Sequence, residues 1–136
     1  MTTDRYDNIR RAFEGDAYAN ALGFTLGKVA EFSVVVSMTV REDHLNFHGV
    51  LHGGALFSLA DCAFSLASNA HGDTAVAIDT HLALTAPSKL GDTLTAAAIE
   101  MTRGRSLATY RVNVTRDGDE MVGLFTGTVF IKTENR

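Results

Sequence analysis

The sequence predicts an α+β fold in which an antiparallel β-sheet packs against one long, buried α-helix. Residues 55–70, ALFSLADCAFSLASNA, are apolar on nearly every side, which is typical of a helix inside a core. After Gly72 the chain consists of β-branched and apolar runs separated by tight turns, which indicates successive strands. Residues 24–40 alternate between apolar and polar positions and add one or two strands ahead of the helix. A sheet crossed by a single long helix is an α+β layer pair.

The elements ahead of the central helix follow from local spacing. An N-terminal helical segment spans residues 1–22, with a break at Gly15-Asp16. Its apolar residues at three- and four-residue spacing are Tyr6, Ile9 and Phe13. The strand-like region 24–40 then has one apolar face, formed by Phe32, Val34, Val36, Met38 and Val40. Residues 41–54 are polar and rich in His and Gly, and they predict a loop that leads into the central helix.

Four strands are predicted after the central helix, at residues 74–86, 93–102, 106–115 and 121–132. Turns near Gly91-Asp92, at 103–105 and at Asp117-Gly118 would join them as consecutive hairpins in one antiparallel sheet. No repeat, linker or low-complexity tract interrupts the chain. Its 136 residues therefore predict a single domain over residues 1–136.

Composition excludes several classes of function. The net charge of −4 argues against a nucleic-acid binder, which normally presents a basic surface. No window of about 18 apolar residues is free of polar interruptions, so we expect no membrane span. The charged N-terminus lacks an apolar signal core, and the one cysteine, Cys62, suits a reducing compartment. We therefore expect a cytoplasmic protein.

The start of the central helix and its one acid are the candidate site. Gly53 and Gly54 would occupy the first helical turn, where unpaired amides and the positive end of the dipole attract an anion or a developing oxyanion. Asp61 is the one charged residue between His52 and His71, and a carboxylate in an apolar helix is costly unless it is paired or used. It lies on a narrow polar stripe formed by Ser58, Asp61, Ser65 and Ser68.

Helix geometry separates the two halves of this candidate site. Eight residues between Gly53 and Asp61 correspond to a rise of about 12 Å along one helix. Both groups therefore cannot contact one reacting carbon, which requires partners about 3 Å away. Either they are unrelated, or Asp61 faces the Gly53 amide of a second subunit across a two-fold axis. The functional interpretation therefore requires a homodimer.

The stretch HLNFHGVLHGGALFSLADCAF resembles the signature of the hotdog-fold acyl-CoA thioesterases, in particular the phenylacetic-acid-degradation group. The combined spacing of Asn46, Gly53, Asp61 and Ser65 makes the resemblance specific, whereas His-Gly-Gly alone would be weak. The resemblance continues through Pro87-x-x-x-Gly91-Asp92 and residues 103–106. It implies an antiparallel sheet wrapped around the central helix, a homodimer, and dimers stacked into a homotetramer. Leu84-Thr85-Ala86 departs from the group, which often has an aromatic residue and an arginine there.

By this resemblance, the Gly53 amide would polarise the thioester carbonyl. Asp61 of the facing subunit would act as nucleophile or as general base on water, and the sequence leaves this choice open. Asn46 would hold the carboxylate or the attacking water, His52 would orient the thioester, and Ser65 would support the water. Gly54 completes the substrate-contacting turn.

The substrate implied is an aromatic acyl-CoA, of the phenylacetyl or hydroxyphenylacetyl type. CoA is then part of the substrate, and no separate cofactor is expected. Candidates for its phosphates are Arg103, Arg105 and Lys89, since arginine binds phosphate in a bidentate manner. Candidates for an apolar acyl pocket are Phe47, Phe57, Phe64 and Leu51, although the same residues would serve equally well as core.

Several alternatives remain at this point. His44, His48 and His52 recur every fourth residue, but the glycines among them favour a loop over an aligned metal site, and no metal is expected. Cys62 would point about 100° away from Asp61, which favours a buried, inert thiol over a nucleophile. A hotdog hydratase or dehydratase, or a non-catalytic acyl-CoA-binding protein, would share the fold. Thiol release from an acyl-CoA would separate these from a hydrolase.

Overall fold

The chain forms one six-stranded antiparallel sheet with a long helix packed across it, in a computed structural model that describes residues 3–132. The helices are α1 (Thr3–Glu14), α2 (Ala17–Ala21) and α3 (Gly53–Ser68). The strands are β1 (Thr25–Ala30), β2 (Ser33–Thr39), β3 (Thr74–Leu84), β4 (Thr93–Arg103), β5 (Leu107–Arg116) and β6 (Glu120–Lys132). Their order in the sheet is β1-β2-β4-β5-β6-β3, and α3 contacts β2 to β6. The predicted α+β architecture, a hotdog fold, is confirmed.

The core lies between α3 and one face of the sheet. Residues with no exposed surface on the helix are Leu59, Ala60, Ala63 and Phe64. Their counterparts on the sheet include Val36, Leu94, Ala96, Ala98, Val112, Val114 and Phe125. Each large apolar side chain buried in this way contributes about 1.5–3 kcal/mol to folding. The all-round apolar character of residues 55–70 therefore has a direct structural cause.

Close approach of α3 to β6 depends on two glycines. A Cβ atom at Gly127 would lie 2.7 Å from Cζ of Phe64, and one at Gly123 would lie 2.8 Å from Cδ2 of Leu56. Both distances are shorter than carbon atoms tolerate. The missing side chains on β6 leave the space that the helix residues fill.

The region 24–40 forms two strands, separated by a turn at Glu31-Phe32. Val34, Val36 and Met38 are buried as the alternation predicts. Phe32 is 54% exposed and does not belong to that apolar face, because it lies in the turn and outside the sheet.

The pairing predicted for β3 is wrong. β4, β5 and β6 are consecutive hairpins, but β3 pairs with β6 at the far edge of the sheet, and β4 pairs with β2. The connection after β3 is not a tight hairpin, because Pro87 cannot donate a ladder hydrogen bond and the following residues bond elsewhere. The Leu51 amide donates to the Ser88 carbonyl. The Val40 amide donates to the Asp92 carbonyl, and the Gly91 amide donates to the Val40 carbonyl.

The N-terminal helical segment is present as two helices that pack near α3. Ile9 and Phe13 of α1 and Ala19 of α2 are buried in the same core as the sheet. Asp16 caps α2, since its Oδ1 accepts a hydrogen bond from the Ala19 amide at 3.0 Å. No helix in the described part of the chain is long and apolar enough to cross a membrane.

Candidate active site

The first turn of α3 leaves one amide without a partner. His52 is the N-cap, and its Nδ1 accepts a hydrogen bond from the Gly54 amide at 2.8 Å. The amides of Ala55 and Leu56 donate to the His52 carbonyl. Among residues 3–132, no acceptor binds the Gly53 amide, which is one of the donors that every helix leaves unpaired at its start.

The Gly53 amide borders a cavity of about 330 Å³, here called the Gly53 cavity. Its lining residues are Asn46, Val50, Leu51, Gly53, Leu56, Leu84, Thr85, Ala86, Pro87 and Ser88. The positive end of the α3 dipole lies at this wall, so the cavity suits an oxygen atom that carries or develops negative charge.

His52 and Gly54 have structural tasks that the sequence did not reveal. Because Nδ1 of His52 accepts from Gly54, a neutral His52 ring carries its proton on Nε2. Only Nε2 is then available to orient a substrate. The Gly54 amide is occupied by the cap, so it is not one of the bare amides expected at the helix start, and the predicted role of Gly54 in substrate binding stays a prediction. A Cβ atom at Gly54 would lie 3.0 Å from Nδ1 of His52, which explains the glycine.

Asn46 holds the loop ahead of α3. Its Oδ1 accepts hydrogen bonds from the amides of His48 at 2.9 Å and Val50 at 3.3 Å. Asn46 also lines the Gly53 cavity, and within the described residues its Nδ2 has no acceptor. The side chain can therefore donate from Nδ2 into the cavity while Oδ1 fixes the loop.

Asp61 borders a different cavity of about 340 Å³, here called the Asp61 cavity. Its lining residues are Asp16, Tyr18, Ala19, Phe24, Phe57, Ser58, Asp61, Cys62 and Ser65. Burial, followed by the charge of Asp16, raises the pKa of Asp61 above its ordinary value of 3.8. No hydrogen-bond donor from the described residues reaches its carboxylate. A basic, unpaired carboxylate suits proton abstraction or nucleophilic attack.

The predicted polar stripe is only partly present in this cavity. Ser58 and Ser65 lie beside Asp61, as the spacing indicates. Ser68 does not line the cavity: it is 1% exposed, and its Oγ donates to the Ser65 carbonyl at 3.2 Å.

The two cavities have no lining residue in common. Gly53 and Asp61 both lie on α3, eight residues and about 12 Å apart. One chain therefore presents an oxyanion-type donor and an acid that cannot meet at the same reacting carbon.

The four residues expected to form one apolar pocket are distributed over four environments. Leu51 lines the Gly53 cavity, and Phe57 lines the Asp61 cavity with its ring 5.6 Å from that of Phe125. Phe64 belongs to the core, with no exposed surface. Phe47 is 92% exposed, because it lies at the tip of the turn after Asn46, and its ring contacts His48. The structure therefore does not bring these four residues together within one chain, and Phe64 serves as core.

Of the basic residues predicted to bind CoA, Lys89 lies nearest to a cavity. It lines a depression of about 540 Å³ that shares Val50, Ala86 and Pro87 with the Gly53 cavity. Arg103 is engaged elsewhere: it forms ion pairs with Asp73 at 3.8 Å and Glu100 at 3.6 Å. Arg105 is exposed in the turn between β4 and β5 and lines none of these cavities.

Sequence reasoning missed two groups of residues that line the cavities. Residues 85–88 form one side of the Gly53 cavity, whereas the sequence predicted only the end of a strand at residue 86 and its termination by Pro87. Asp16 and Tyr18 of α2 form one side of the Asp61 cavity. The proline at position 87 was a usable signal for the first wall, but nothing local to α2 predicts that it packs beside Asp61.

The rival chemistries have little support in this geometry. His44 is buried, and both its ring nitrogens bond to backbone, at Arg41 N and Leu22 O. The part of the chain that the structure describes contains no group of three His, Cys, Asp or Glu side chains placed to bind a metal. Cys62 is 7% exposed, and burial raises the pKa of its thiol to about 12. It is therefore a protonated, buried thiol at neutral pH.

Comparisons with known proteins relate the chain to a family of enzymes. Residues 48–122 match the thioesterase superfamily. The chain is 39% identical over 127 residues to acyl-coenzyme A thioesterase PaaI of Escherichia coli (strain K12). The aligned region covers 93% of this chain and 91% of that protein.

Two solved structures show the same architecture. The structure of the E. coli PaaI protein from the phenylacetic acid degradation operon has a TM-score of 0.91 at 37% identity, covering 95% of this chain and 94% of the other. A hypothetical thioesterase from Streptococcus pneumoniae TIGR4, solved with coenzyme A, has a TM-score of 0.83 at 28% identity. The superposition covers 90% of this chain and 95% of the S. pneumoniae chain.

Proposed function

The chain belongs to the thioesterase superfamily as a PaaI-type hotdog enzyme that hydrolyses acyl-CoA, and from that premise we propose that its substrates are aromatic acyl-CoA esters of the phenylacetyl or hydroxyphenylacetyl type. The products are the free acid and CoA. One observation carries the proposed mechanism. The unpaired Gly53 amide and the basic Asp61 carboxylate lie on one helix but in separate cavities. Each chain therefore supplies half of two sites.

A homodimer completes these sites. Two α3 helices running antiparallel about a two-fold axis bring the Gly53 cavity of one subunit against the Asp61 cavity of the other. The strand β3 supports such pairing, because it lies at the edge of the sheet and has backbone groups available to a second strand. The side chain of Ile78 on this strand is 59% exposed, which favours an apolar contact there.

A dimer of dimers is the proposed assembly. Val76, Phe130 and Leu107 are register partners across β3, β6 and β5, and each is between 36% and 49% exposed. This row presents an apolar surface on the face of the sheet opposite α3. Exposed apolar surface of this kind suits a second interface.

In the complete site, the Gly53 amide donates to the thioester carbonyl oxygen, where negative charge develops as the carbonyl carbon is attacked. With Asp61 as general base, water adds to that carbon and its proton goes to Asp61. The carbon–sulfur bond then breaks, and the CoA thiolate takes up the proton. With Asp61 as nucleophile, the carboxylate itself adds, CoA leaves, and water hydrolyses the resulting anhydride. The raised pKa of Asp61 makes it a stronger base in either path.

The remaining site residues orient the attacking water, the thioester and the Asp61 carboxylate. Nδ2 of Asn46 can donate to the attacking water or to Asp61 of the partner subunit. Nε2 of His52 can orient the thioester, and Ser65 can support the water. Lys89 is the proposed contact for a CoA phosphate, since its depression adjoins the Gly53 cavity. CoA arrives as part of the substrate, and no cofactor takes part.

Mixed dimers test the shared site. Thiol release from phenylacetyl-CoA should fall by about 10²–10⁴-fold in Asp61→Asn, which removes the base or nucleophile. It should fall by about 10²–10³-fold in Gly53→Pro, which removes the donor to the carbonyl oxygen. Refolding the two variants together should restore about one quarter of wild-type activity, because half the dimers are mixed and each has one intact site.

Absence of recovery, with mixed dimers demonstrated by mass spectrometry, would contradict a site shared between subunits. A single turnover in ¹⁸O-labelled water separates the two chemical roles. Label in the Asp61 carboxylate identifies the nucleophile, and label in the product acid with no acyl-enzyme trapped by hydroxylamine identifies the base.

A further inference from the structure

One wall of the Gly53 cavity lies outside the hydrogen-bond ladder of the sheet. It is formed by residues 86–88 and is here called the proline wall. Just before it, the Thr85 amide still bonds to a carbonyl of β6. Pro87 has no amide hydrogen, and within the described residues no acceptor binds the amides of Ala86 or Ser88. The position of the proline wall therefore depends on contacts other than strand pairing.

Arg116, at the end of β5, supplies such contacts. Its Nη1 donates to the Pro87 carbonyl and lies 3.5 Å from Oγ of Ser88. Its Nη2 lies 2.6 Å from Oε1 of Glu120 on β6, which fixes the other side of the guanidinium group. Only 16% of the Arg116 side chain is exposed. Because one planar group contacts both the wall and β6, Arg116 holds the proline wall against the sheet.

The proline wall is in turn bonded to the segment that precedes α3. The Ser88 carbonyl accepts a hydrogen bond from the Leu51 amide at 2.8 Å. The next amide, that of His52, donates to the His44 carbonyl at 2.8 Å. These two bonds attach the chain just ahead of Gly53 to two separate segments. A shift of the proline wall therefore moves one of the two supports of the Gly53 amide.

The charge of Arg116 is already used inside the chain. Arg116 lines the same depression as Lys89, the proposed contact for a CoA phosphate. Its guanidinium group, however, faces two carboxylates, Glu120 at 2.6 Å and Asp92 at 3.8 Å, which neutralise it. Arg116 also does not line the Gly53 cavity, so it does not contact the thioester. Any effect of Arg116 on the reaction must therefore act through the residues that it holds.

We propose that Arg116 is a positioning residue, which holds the Gly53 amide in place for the thioester carbonyl through the proline wall and Leu51. This inference rests on the role of the Gly53 amide in the proposed function. A misplacement of about 1 Å in a group that acts on the reacting atoms costs up to about 10²-fold in rate. Since Arg116 contacts no part of the substrate, its loss should lower kcat and leave KM nearly unchanged.

The test is a double-mutant cycle of Arg116→Ala and Gly53→Pro, with kcat and KM measured for phenylacetyl-CoA. Arg116→Ala alone should lower kcat about 10- to 100-fold and change KM by less than about threefold. In the Gly53→Pro background, the same change should lower kcat by less than about threefold, because the amide that Arg116 positions is already gone. A residue that only stabilised the fold would lower kcat by the same factor in both backgrounds.

Two further variants separate this role from an effect on folding. Arg116→Lys keeps a positive charge beside Glu120, but one ammonium group cannot reproduce both sides of the guanidinium group. It should show a smaller loss of kcat with the same coupling to Gly53→Pro, and it carries the cycle if Arg116→Ala does not fold. Arg10→Ala is the matched control and should keep wild-type kcat. Arg10 also pairs with two carboxylates, Asp7 and Glu14, but it lies on α1 and lines neither cavity of the site.

Three results would overturn the proposal. The first is an unchanged kcat in folded Arg116→Ala or Arg116→Lys. The second is an equal loss of kcat in both backgrounds of the cycle. The third is a rise in KM for phenylacetyl-CoA that is absent with the phosphate-free N-acetylcysteamine thioester, which would make Arg116 a phosphate contact. Wild-type kcat in Gly53→Pro would instead contradict the role of the amide in the proposed function, and the positioning role would fall with it.

Discussion

The Gly53 cavity and the Asp61 cavity lie along the same helix but are built from different kinds of groups. The first contains a backbone donor at a helix start, with loop residues 46–51 and 85–88 around it. The second contains an acid on the side of the helix, with aromatic residues and the helix α2 around it. Backbone geometry thus fixes the position of the Gly53 N–H donor, whereas burial raises the pKa of the Asp61 carboxyl group. The difference predicts that the two cavities respond to different substitutions.

The largest expected effect comes from removing the N–H donor of Gly53. Two substitutions distinguish the loss of this donor from the addition of a side chain at the same position. Gly53→Pro removes the donor at the first helical position, where proline is accommodated, and the extended conformation of His52 suits a following proline. We expect kcat for acyl-CoA hydrolysis to fall about 10²–10³-fold, with the helix intact by circular dichroism.

Gly53→Ala is the matched control for this variant. It keeps the amide, and its Cβ would lie 3.3 Å from Cδ1 of Leu84, a flexible side-chain end. Activity in this variant should stay much closer to wild type. Equal losses in the two variants would mean that space, and not the amide, is what the site requires.

A second prediction concerns the cost of keeping Asp61 in the core helix. Burial raises the pKa of Asp61, so folding favours the neutral acid over the carboxylate more than the unfolded chain does. The stability that this preference contributes is fully present below the ordinary pKa of 3.8 and is lost as pH rises through the native value. Asp61→Asn is neutral at every pH, so it should raise Tm while it lowers hydrolysis by about 10²–10⁴-fold.

The gain in Tm should be larger at pH 8 than at a pH below the ordinary pKa of 3.8, where the acid is neutral in both the folded and the unfolded chain. Thermal unfolding of wild type and variant at both pH values measures it. Asp119→Asn, in the turn between β5 and β6, is a control remote from the cavity and should show no such pH-dependent gain. A gain for Asp61→Asn that is the same at both pH values would contradict burial as its cause.

The smallest expected effect is electrostatic: the charge of Asp16, the N-cap of α2, acts on the pKa of Asp61. The charge of Asp16 adds to the rise in the pKa of Asp61, so Asp16→Asn should shift the acidic limb of the kcat/KM profile to lower pH. Asparagine still caps α2, which keeps the helix in place. The measurement is a pH–rate profile with phenylacetyl-CoA. An unshifted limb in a variant with unchanged unfolding temperature would show that Asp16 does not act on Asp61.

Sequence reasoning succeeded where the signal was local. The all-round apolar helix, the isolated Asp61, the glycines at the helix start and the alternation through Val34, Val36 and Met38 all correspond to the structure. It failed where the outcome depended on distant segments. The register of β3 against β6, the exposed position of Phe47 and the capture of Arg103 by Asp73 and Glu100 cannot be read from neighbouring residues.

The sequence by itself determined the class of fold and the separation of the two reactive halves. Helix periodicity fixes the rise between Gly53 and Asp61 whatever the rest of the chain does. Tertiary structure decided which groups are available to react. It assigned the Gly54 amide to the His52 cap, left the Gly53 amide without an acceptor among the described residues, and placed Asp16 and Tyr18 of α2 at the cavity that Asp61 lines. Hydrogen-bond donors and acceptors are shared among segments remote in sequence, so only the folded chain determines which of them remain for a substrate.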